Sequence, residues 1–418
     1  MEKAKKISIV TVVLVGLVFG ITGIQGFDSN AAGNPQRVIV TLNEDAVNED
    51  VRVALKGLGG RFLKNLELVN GLVVLLPSEA AVKQAGALAG VKRVEEDVMV
   101  FAVAKPSWAG GGRDSKQPAE VLEWGVDRID ADLAWAISRG FGVNVAIIDT
   151  GIDKDHADLV DNLKGGVNFV SKSPVKPADP NRWDDDNGHG THVAGIVAAV
   201  DNEIGVIGTA PEAYLWAVKV LDRNGSGYVS DVIDGINWAV NNGMQVVNMS
   251  LGTASDIQAL NDAVDAAYNA GLVLVAAAGN SGDGDGITNE VIYPAKYSSV
   301  IAVAATASDD STPYWSSEGE EVELAAPGVS IRSTWNNGLY NTISGTSMAS
   351  PHAAGTVALV LTTAVGSYDL DGDGIWDPVE VRANLQATAD DVNNDGKDNF
   401  YGYGLVDAEE SVTGFETQ

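Results

Sequence analysis

Three short stretches carry residue types that together can break a bond by nucleophilic attack. Ser347 lies where a glycine-bearing loop, residues 345–352 (GTSMASPH), runs into an apolar stretch, so its hydroxyl would stand beside the free N–H groups of a helix start. Asp149 ends an apolar run, and His189 stands between two glycines. A carboxylate, an imidazole base and a hydroxyl nucleophile are the parts of a catalytic triad. Taken alone, the serine stretch fits a helix N-cap equally well.

The order Asp, His, Ser and the segments around these residues resemble the subtilisin-like serine proteases, the subtilases. The matching segments are residues 145–151 (VAIIDTG), 187–195 (NGHGTHVAG) and 345–352, and the resemblance covers roughly residues 107–414. It implies a serine endopeptidase that hydrolyses peptide bonds in protein and peptide substrates through an acyl-enzyme. The three residues named above would be its triad.

The resemblance implies further residues around the nucleophile. Residues 272–281 (LVLVAAAGNS) read as a buried strand that ends in Gly-Asn, and Asn280 matches the family's side-chain donor to the oxyanion, paired with the backbone N–H of Ser347. Two short segments match the walls of the substrate cleft, where an extended peptide would pair with one edge. The substrate-binding residues carried over in this way are Ser250, Leu251, Gly252, Ala277 and Gly279. Small residues on both walls predict a roomy apolar pocket.

One calcium site is implied by the same resemblance. Residues 200–206 (VDNEIGV) match a subtilase calcium loop, in which an Asn side chain and alternate backbone carbonyls face one ion. Glu120 stands where the family commonly has Gln, a departure that adds a charge without removing an oxygen ligand. The full set of expected ligands is Glu120, Asp158, Val200, Asn202, Ile204 and Val206.

A second calcium signal does not depend on the family. Residues 369–380 (DLDGDGIWDPVE) fit the twelve-residue EF-hand loop, with oxygen-bearing side chains at positions 1, 3, 5 and 9, Gly at 6 and Glu at 12. The expected ligands are Asp369, Asp371, Asp373, Ile375, Asp377 and Glu380. Two shorter acidic runs, residues 184–186 and Asp283 with Asp285, are either further sites or solvated loops. We favour solvated loops for both.

The elements that would position these residues read as a parallel α/β sheet. Apolar β-type runs at 143–148, 214–220, 244–249, 272–277 and 300–304 alternate with helical runs at 189–200, 230–241, 257–269 and 347–364. Continuous apolar strands separated by helices indicate a sheet covered by helices on both faces, which is also the subtilisin-like fold that the resemblance implies. Ligands of such sheets bind beyond the carboxyl ends of the strands, where Asp149 is expected.

The region before this sheet reads as a small α+β domain of ferredoxin-like type. Strand, helix, two strands meeting at Asn70-Gly71, helix and a strand over 91–103 follow one another between residues 34 and 104. The resemblance implies an inhibitory propeptide, which the new active site cuts and which then blocks that site as an intramolecular partner. A separate structural domain is the alternative. A Pro- and Gly-bearing linker, 105–117, leads to the catalytic domain, 118–418.

The first 26 residues have the shape of a secretory signal. Three lysines precede an uncharged apolar run over residues 7–24, and small residues follow it. An uncleaved membrane anchor is the alternative, because the run lies near the lower limit of about 17–25 residues for spanning a bilayer. We expect a cleaved signal at 1–26, a secreted, extracellular and monomeric protein, and no stable membrane association once the signal is removed.

Charge is distributed unevenly along the chain. Residues 1–105 contain 12 Lys+Arg and 11 Asp+Glu, whereas residues 106–418 contain 15 and 46, a net charge of −31. So acidic a surface repels nucleic acid, which we exclude as a partner. The chain also contains no cysteine, so disulfides do not stabilise it.

Two other classes of function were weighed against a protease. A binding scaffold in which the protease fold only processes itself would carry an extra adhesive or repeat region, and the sequence has none. A serine esterase of the α/β-hydrolase type would require Gly-x-Ser-x-Gly and the order Ser, Asp, His, neither of which is present.

Overall fold

A computed structural model describes residues 34–103, 117–171, 177–392 and 396–414. The predicted signal at 1–26 lies outside the described residues, as does all of the predicted linker except Gln117. Among the described helices, none has the length and apolar character needed to cross a bilayer.

The N-terminal unit is an antiparallel sheet with two helices, in the predicted order βαββαβ. Its elements are β1 (Gln36–Leu42), α1 (Asn48–Gly57), β2 (Arg61–Leu66), β3 (Gly71–Leu76), α2 (Glu79–Ala85) and β4 (Val91–Glu96), with a 3-10 turn at Glu67–Val69. The strands lie in the order β2-β3-β1-β4. Alternate strand residues such as Val38, Val40 and Val74 pack against Leu55 and Ala85 of the helices, which gives the unit a core of its own.

Two details of this unit differ from the prediction. The expected tight turn at Asn70-Gly71 is wrong, because the 3-10 turn ends β2 early and only Asn70 takes the left-handed conformation, with φ 45°. The expected single strand over 91–103 is two strands, since Asp97 turns inward and β5 (Met99–Ala102) joins another sheet. The second difference is the one that bears on function.

The rest of the chain forms one larger unit. In chain order, its elements are α3 (Trp124–Arg128), α4 (Ala131–Ala134), β6 (Asn144–Asp149), β7 (Leu163–Asn168), α5 (His189–Ala198), β8 (Tyr214–Lys219), β9 (Ser226–Tyr228), α6 (Val229–Asn241), β10 (Val246–Met249), β11 (Leu251–Gly252), α7 (Gln258–Asn269), β12 (Val273–Ala277), β13 (Ile301–Thr306), β14 (Val322–Pro327), β15 (Ile331–Trp335), β16 (Leu339–Ile343), α8 (Thr346–Val360), a 3-10 turn (Gly366–Tyr368), α9 (Pro378–Ala387) and α10 (Ala408–Thr413).

A seven-stranded parallel sheet in the order β14-β13-β12-β10-β6-β8-β7 lies at its centre. Successive residues of each strand point to opposite faces, so two cores form. Val145 and Ile147 of β6 pack in the core that contains α5 and α8. Ala146 and Ile148 pack in the core that contains α6 and α7. The prediction of a parallel sheet with helices on both faces is therefore confirmed.

The helix that carries Ser347 lies wholly in the interior. Every residue of α8 is buried, which agrees with its apolar composition on all sides. The sequence did not predict the edge strands β7 and β14. The sequence of β7 contains Lys164 and two glycines, a composition that is typical of a loop.

Candidate active site

The candidate catalytic residues lie at element ends on one edge of the sheet. Asp149 is the last residue of β6, His189 is the first of α5 and Ser347 is the second of α8. All three are buried, with Asp149 at 0% exposure. The carboxyl end of a parallel strand and the N-termini of two helices thus meet where this kind of sheet binds ligands.

Asp149 holds the imidazole of His189 directly. Nδ1 of His189 lies 2.8 Å from Oδ1 of Asp149 and 2.9 Å from Oδ2. Burial alone would lower the pKa of His189, but the charge and the hydrogen bond of Asp149, helped by the charge of Asp185, raise that pKa above its usual value. Nδ1–H therefore faces the carboxylate, and Nε2 is left free to accept a proton.

The expected second link of the triad is not made in this arrangement. Nε2 of His189 is buried and has no hydrogen-bond partner among the described residues. The Ser347 hydroxyl instead shares its one hydrogen between the carbonyl oxygen of Val103 and that of Ser250, which lies 3.0 Å away. The nucleophile thus points at a peptide carbonyl, and the base stands unpaired beside it.

The same carbonyl is held from the other side by Asn280. Its Nδ2 donates to the Val103 oxygen at 3.0 Å. Its Oδ1 accepts from the backbone N–H of Thr346 at 3.0 Å and from the Thr346 hydroxyl at 3.1 Å. With both donors of Thr346 on the amide oxygen, the amide nitrogen can only face the carbonyl. A fixed N–H aimed at this oxygen is what a developing oxyanion requires.

The backbone leading to Val103 lies in a cleft between two edges. Strand β5 pairs antiparallel with β11, where Ala102 lies opposite Leu251, and with β9, where Phe101 lies opposite Ser226. The N–H of Val103 continues the ladder to the carbonyl of Ser250 at 3.1 Å. The predicted edge therefore receives an extended segment. The second edge, β9, was missed, because SGY is too short and too polar to be read as a strand.

The side chain of Ile292 lies against both predicted walls of the substrate pocket. A Cβ placed on Gly252 would lie 2.4 Å from Cδ1 of Ile292, and one on Gly279 would lie 3.3 Å from Cγ2 of the same residue. Ala277 is buried at the end of β12. Ile292 thus fills space between the walls, so the prediction of a roomy pocket disagrees with the structure.

The chain matches the model of the subtilase family over residues 140–404. The chain belongs to the subtilase family. It is 41% identical over 352 residues to Subtilisin E of Bacillus subtilis (strain 168), covering 84% of this chain and 83% of that protein. It is 46% identical over 292 residues to Subtilisin DY of Bacillus licheniformis and 43% identical over 292 to Subtilisin Savinase of Lederbergia lenta, each time covering 70% of this chain and 98% of the relative. This subtilase is a serine endopeptidase.

Two other buried histidines of this subtilase have structural contacts. Burial, helped by the charge of His189, lowers the pKa of His192 to about 3, and its Nε2 lies 3.1 Å from the carbonyls of Ile331 and Asn341. Burial also lowers the pKa of His352 to about 4. Both of these rings are therefore neutral near pH 7.

Asp185 was misjudged as part of a solvated loop. Its Oδ1 accepts from the N–H groups of Asn187 and Gly188, both at 2.9 Å. Its Oδ2 accepts from the N–H of Thr191 at 3.0 Å and from the Thr191 hydroxyl at 2.6 Å. The buried carboxylate thus fixes the turn that carries His189. The signal in the sequence was an Asp placed shortly before a helix start.

The first predicted calcium loop brings its oxygen-bearing side chains together. The N–H of Asn202 lies 2.5 Å from Oε1 of Glu120, and Nδ2 of Asn202 lies 2.9 Å from Oδ1 of Asp158. The other three expected ligands contact this group through their N–H groups. Val200 N–H donates to the Asp158 carbonyl, Ile204 N–H to Oδ1 of Asn202 and Val206 N–H to the Asp158 side chain. Burial, and then repulsion by Glu120, raise the pKa of Asp158 to about 6. Carboxylate and amide oxygens such as those of Glu120, Asp158 and Asn202 are ligands that a calcium ion accepts.

The second predicted loop assembles in part. Asp369, Asp371 and Asp373 each offer an oxygen, and these oxygens lie within 4.8 Å of one another. Asp377 caps α9, and Glu380 is buried with its two oxygens on the N–H groups of Leu370 and Asp377. The N–H of Ile375 donates to Asp373. Three of the six predicted ligands form a cluster here, while Asp377 and Glu380 form a capping box.

Proposed function

We propose that this subtilase is a secreted zymogen that cuts itself once and is then inhibited by the released segment. A signal at 1–26, an inhibitory propeptide beginning at 34, a linker and a catalytic domain at 118–418 make up the proposed chain. One observation carries the proposal. The carbonyl of Val103 receives both the Ser347 hydroxyl and the Asn280 amide, so the bond to be cut would join Val103 to Ala104.

The chemistry follows from this geometry. Oγ of Ser347 attacks the carbonyl carbon of Val103 and gives its proton to Nε2 of His189, while Asp149 stabilises the imidazolium. Asn280, with the backbone N–H of Ser347, takes the negative charge on oxygen. His189 then protonates the departing amine, and water hydrolyses the acyl-enzyme to leave a carboxylate on Val103. Peptide bonds of other proteins would be hydrolysed through the same steps.

Contacts outside the cleft support an inhibitory role for the N-terminal unit. Asp97 accepts from the N–H of Ser230 at 2.9 Å and from its hydroxyl at 2.7 Å, near the start of α6. Glu95 accepts from the N–H groups of Gln258 and Ala259, at 2.7 and 3.2 Å, at the start of α7. Carboxylates at helix N-termini satisfy free N–H groups and complement the helix dipole. The unit thus covers the substrate cleft and two helix ends at once.

The substrate class follows from the side chain nearest to the nucleophile. Val103 stands before the proposed cut, and Ile292 narrows the space between Gly252 and Gly279. We propose that the enzyme prefers small or medium apolar residues before the cut bond in extended segments of proteins, because a large aromatic ring would meet Ile292.

Replacing the nucleophile tests the proposal. We expect Ser347→Ala to give a folded, uncut chain, whereas the unchanged protein should yield a new N-terminus at Ala104. N-terminal sequencing and intact mass of both proteins, expressed and purified side by side, measure this. Release of the same fragment from the alanine variant, free of other proteases, would exclude self-cleavage.

Calcium has a stabilising role in the proposal and no part in the reaction. When bound at the Asn202 and Asp373 loops, it would neutralise carboxylates in a region with a net charge of −31 over residues 106–418. We expect a chelator to lower the melting temperature, and to lower it less in Asp371→Ala/Asp373→Ala. Thermal melts of both proteins, with calcium and with chelator, measure the difference. Equal chelator shifts would show that the loop at 369–380 is not such a site.

A further inference from the structure

A third acidic cluster lies beside the active site and matches neither predicted calcium loop. Asp283, Asp285 and Glu318 each present one carboxylate oxygen, and the three oxygens lie within 4.8 Å of one another. Two of these side chains are exposed, whereas Glu318 is only 1% exposed. The cluster joins a loop that follows Asn280 to a segment more than thirty residues further along the chain.

The two oxygens of the buried member of the cluster differ in their hydrogen bonding. Oε1 of Glu318 accepts from the N–H of Gly286 at 3.0 Å. Its Oε2 is buried and has no hydrogen-bond partner among the described residues. Oε2 of the neighbouring Glu290 is likewise buried without a hydrogen-bond partner among the described residues. The charge of Glu290 repels that of Glu318. A buried carboxylate with one unpartnered oxygen, in a cluster of three carboxylates, is unfavourable unless a cation joins them.

We propose that Asp283, Asp285 and Glu318 bind a calcium ion. Three carboxylates supply hard oxygen ligands, and Ca²⁺ accepts irregular sets of 6–8 oxygens in which main-chain carbonyls and water complete the shell. Mg²⁺ fits less well, because it demands a nearly ideal octahedron. The ion gives the unsatisfied oxygen of Glu318 a partner and removes the repulsion within the cluster.

The ion would fasten the loop that borders the substrate cleft. The N–H of Ser281 already donates to the Ser317 hydroxyl at 3.2 Å, and the N–H of Glu290 donates to the Glu318 carbonyl at 3.1 Å. A cation held by Glu318 adds a link between these two contacts. This site lies next to Asn280 in the chain, whereas the loops at 200–206 and 369–380 are elsewhere in the sequence.

Counting bound ions tests the site. The parent is the full chain with Ser347→Ala, which cannot digest itself, and the probe is radioactive calcium in equilibrium dialysis. We expect Glu318→Gln and the exposed pair Asp283→Asn/Asp285→Asn each to bind one ion per chain fewer than the parent. The control, Glu320→Gln, removes the same charge from an exposed neighbour and should bind as many ions as the parent.

Thermal melts give a second reading. With calcium, Glu318→Gln should melt below the parent, and with chelator it should melt at or above it, because one repelling charge is gone. Undiminished calcium binding in both cluster variants would overturn the proposal. If Glu318→Gln does not fold, the exposed pair decides the outcome by itself.

Discussion

The active site and the surface that receives the N-terminal unit hold their charged groups in different ways. Asp149 and His189 are buried and held by short contacts within one unit. Across the other surface, Arg93 and Asp262 pair at 2.6 Å while their side chains keep 23% and 31% of their exposure. Exposed ion pairs contribute only about 0–1 kcal/mol each and weaken with salt.

The difference in exposure indicates which of the two sets of contacts is easier to break. A buried, preorganised site keeps its geometry through many turnovers, whereas an interface joined by partly exposed ion pairs and a few capping contacts can release its partner without disturbing either core. The pairs of Lys64 with Asp231 and Asp234, at 2.5 and 2.7 Å, are less exposed, because the two aspartate side chains keep only 10% and 17% of their exposure. In the proposed function, the active site is the lasting region, and the surface that receives the N-terminal unit is the separating region.

The strongest test of the lasting region is Asn280→Ala. We expect a loss in turnover of about 10²–10³-fold, the magnitude measured when the corresponding donor is removed from subtilisin itself. Substrate binding should change little, because the donor acts on charge that develops only in the transition state. Steady-state kinetics separates the two quantities. Thr346→Val, which keeps the backbone donor, should lose less, and a change confined to KM would contradict the assignment.

A weaker test concerns the wall of the same region. Ile292→Ala should raise kcat/KM for a peptide with Phe before the cut bond, relative to one with Val, by roughly tenfold, since hydrophobic pockets discriminate by about 1–3 kcal/mol per methylene-sized change. Paired peptide assays measure this ratio. Ile287→Ala, on the same loop but 84% exposed, is the control and should leave the ratio unchanged. An unchanged ratio in the Ile292 variant would place the pocket elsewhere.

The smallest effect is expected at the separating region. Asp97→Ala removes a cap contact that contributes about 1 kcal/mol, so activity should appear about fivefold faster after self-cleavage. The time course of activity in freshly processed enzyme shows this. Glu96→Ala removes the same charge from the exposed neighbour and should have little effect. If both variants released activity at the same rate, the cap would not contribute to inhibition.

Much of the catalytic region could be predicted because its residues lie in continuous segments at element ends. A strand that ends in Asp, a helix that begins at His and a strand that is soon followed by Gly-Asn can each be recognised locally. The parallel sheet followed from apolar runs for the same reason. The N-terminal unit was predicted in order, although not at Asn70 or after Glu96.

What could not be predicted depends on contacts between distant segments. Glu318 meets Asp285 only because two loops fold together, and no local pattern marks it. Ile292 narrows a pocket whose walls come from β11 and from the end of β12. Strand β9 exists as a strand because β5 lies beside it. Each of these features is a property of tertiary packing, which single-sequence patterns do not contain.

If the enzyme is processed as proposed, the three-stranded sheet β11-β5-β9 has a consequence for the proteins that the mature enzyme can digest. Its middle strand comes from the N-terminal unit, so any substrate that replaces β5 must offer several consecutive residues as a free extended ribbon with both backbone edges bare. Segments that are paired in a native sheet or folded as a helix cannot do so until they unfold locally. The rate of digestion of a folded protein will then follow how often its segments open, and not only their sequence. The cleft would therefore discriminate among protein substrates by their local stability.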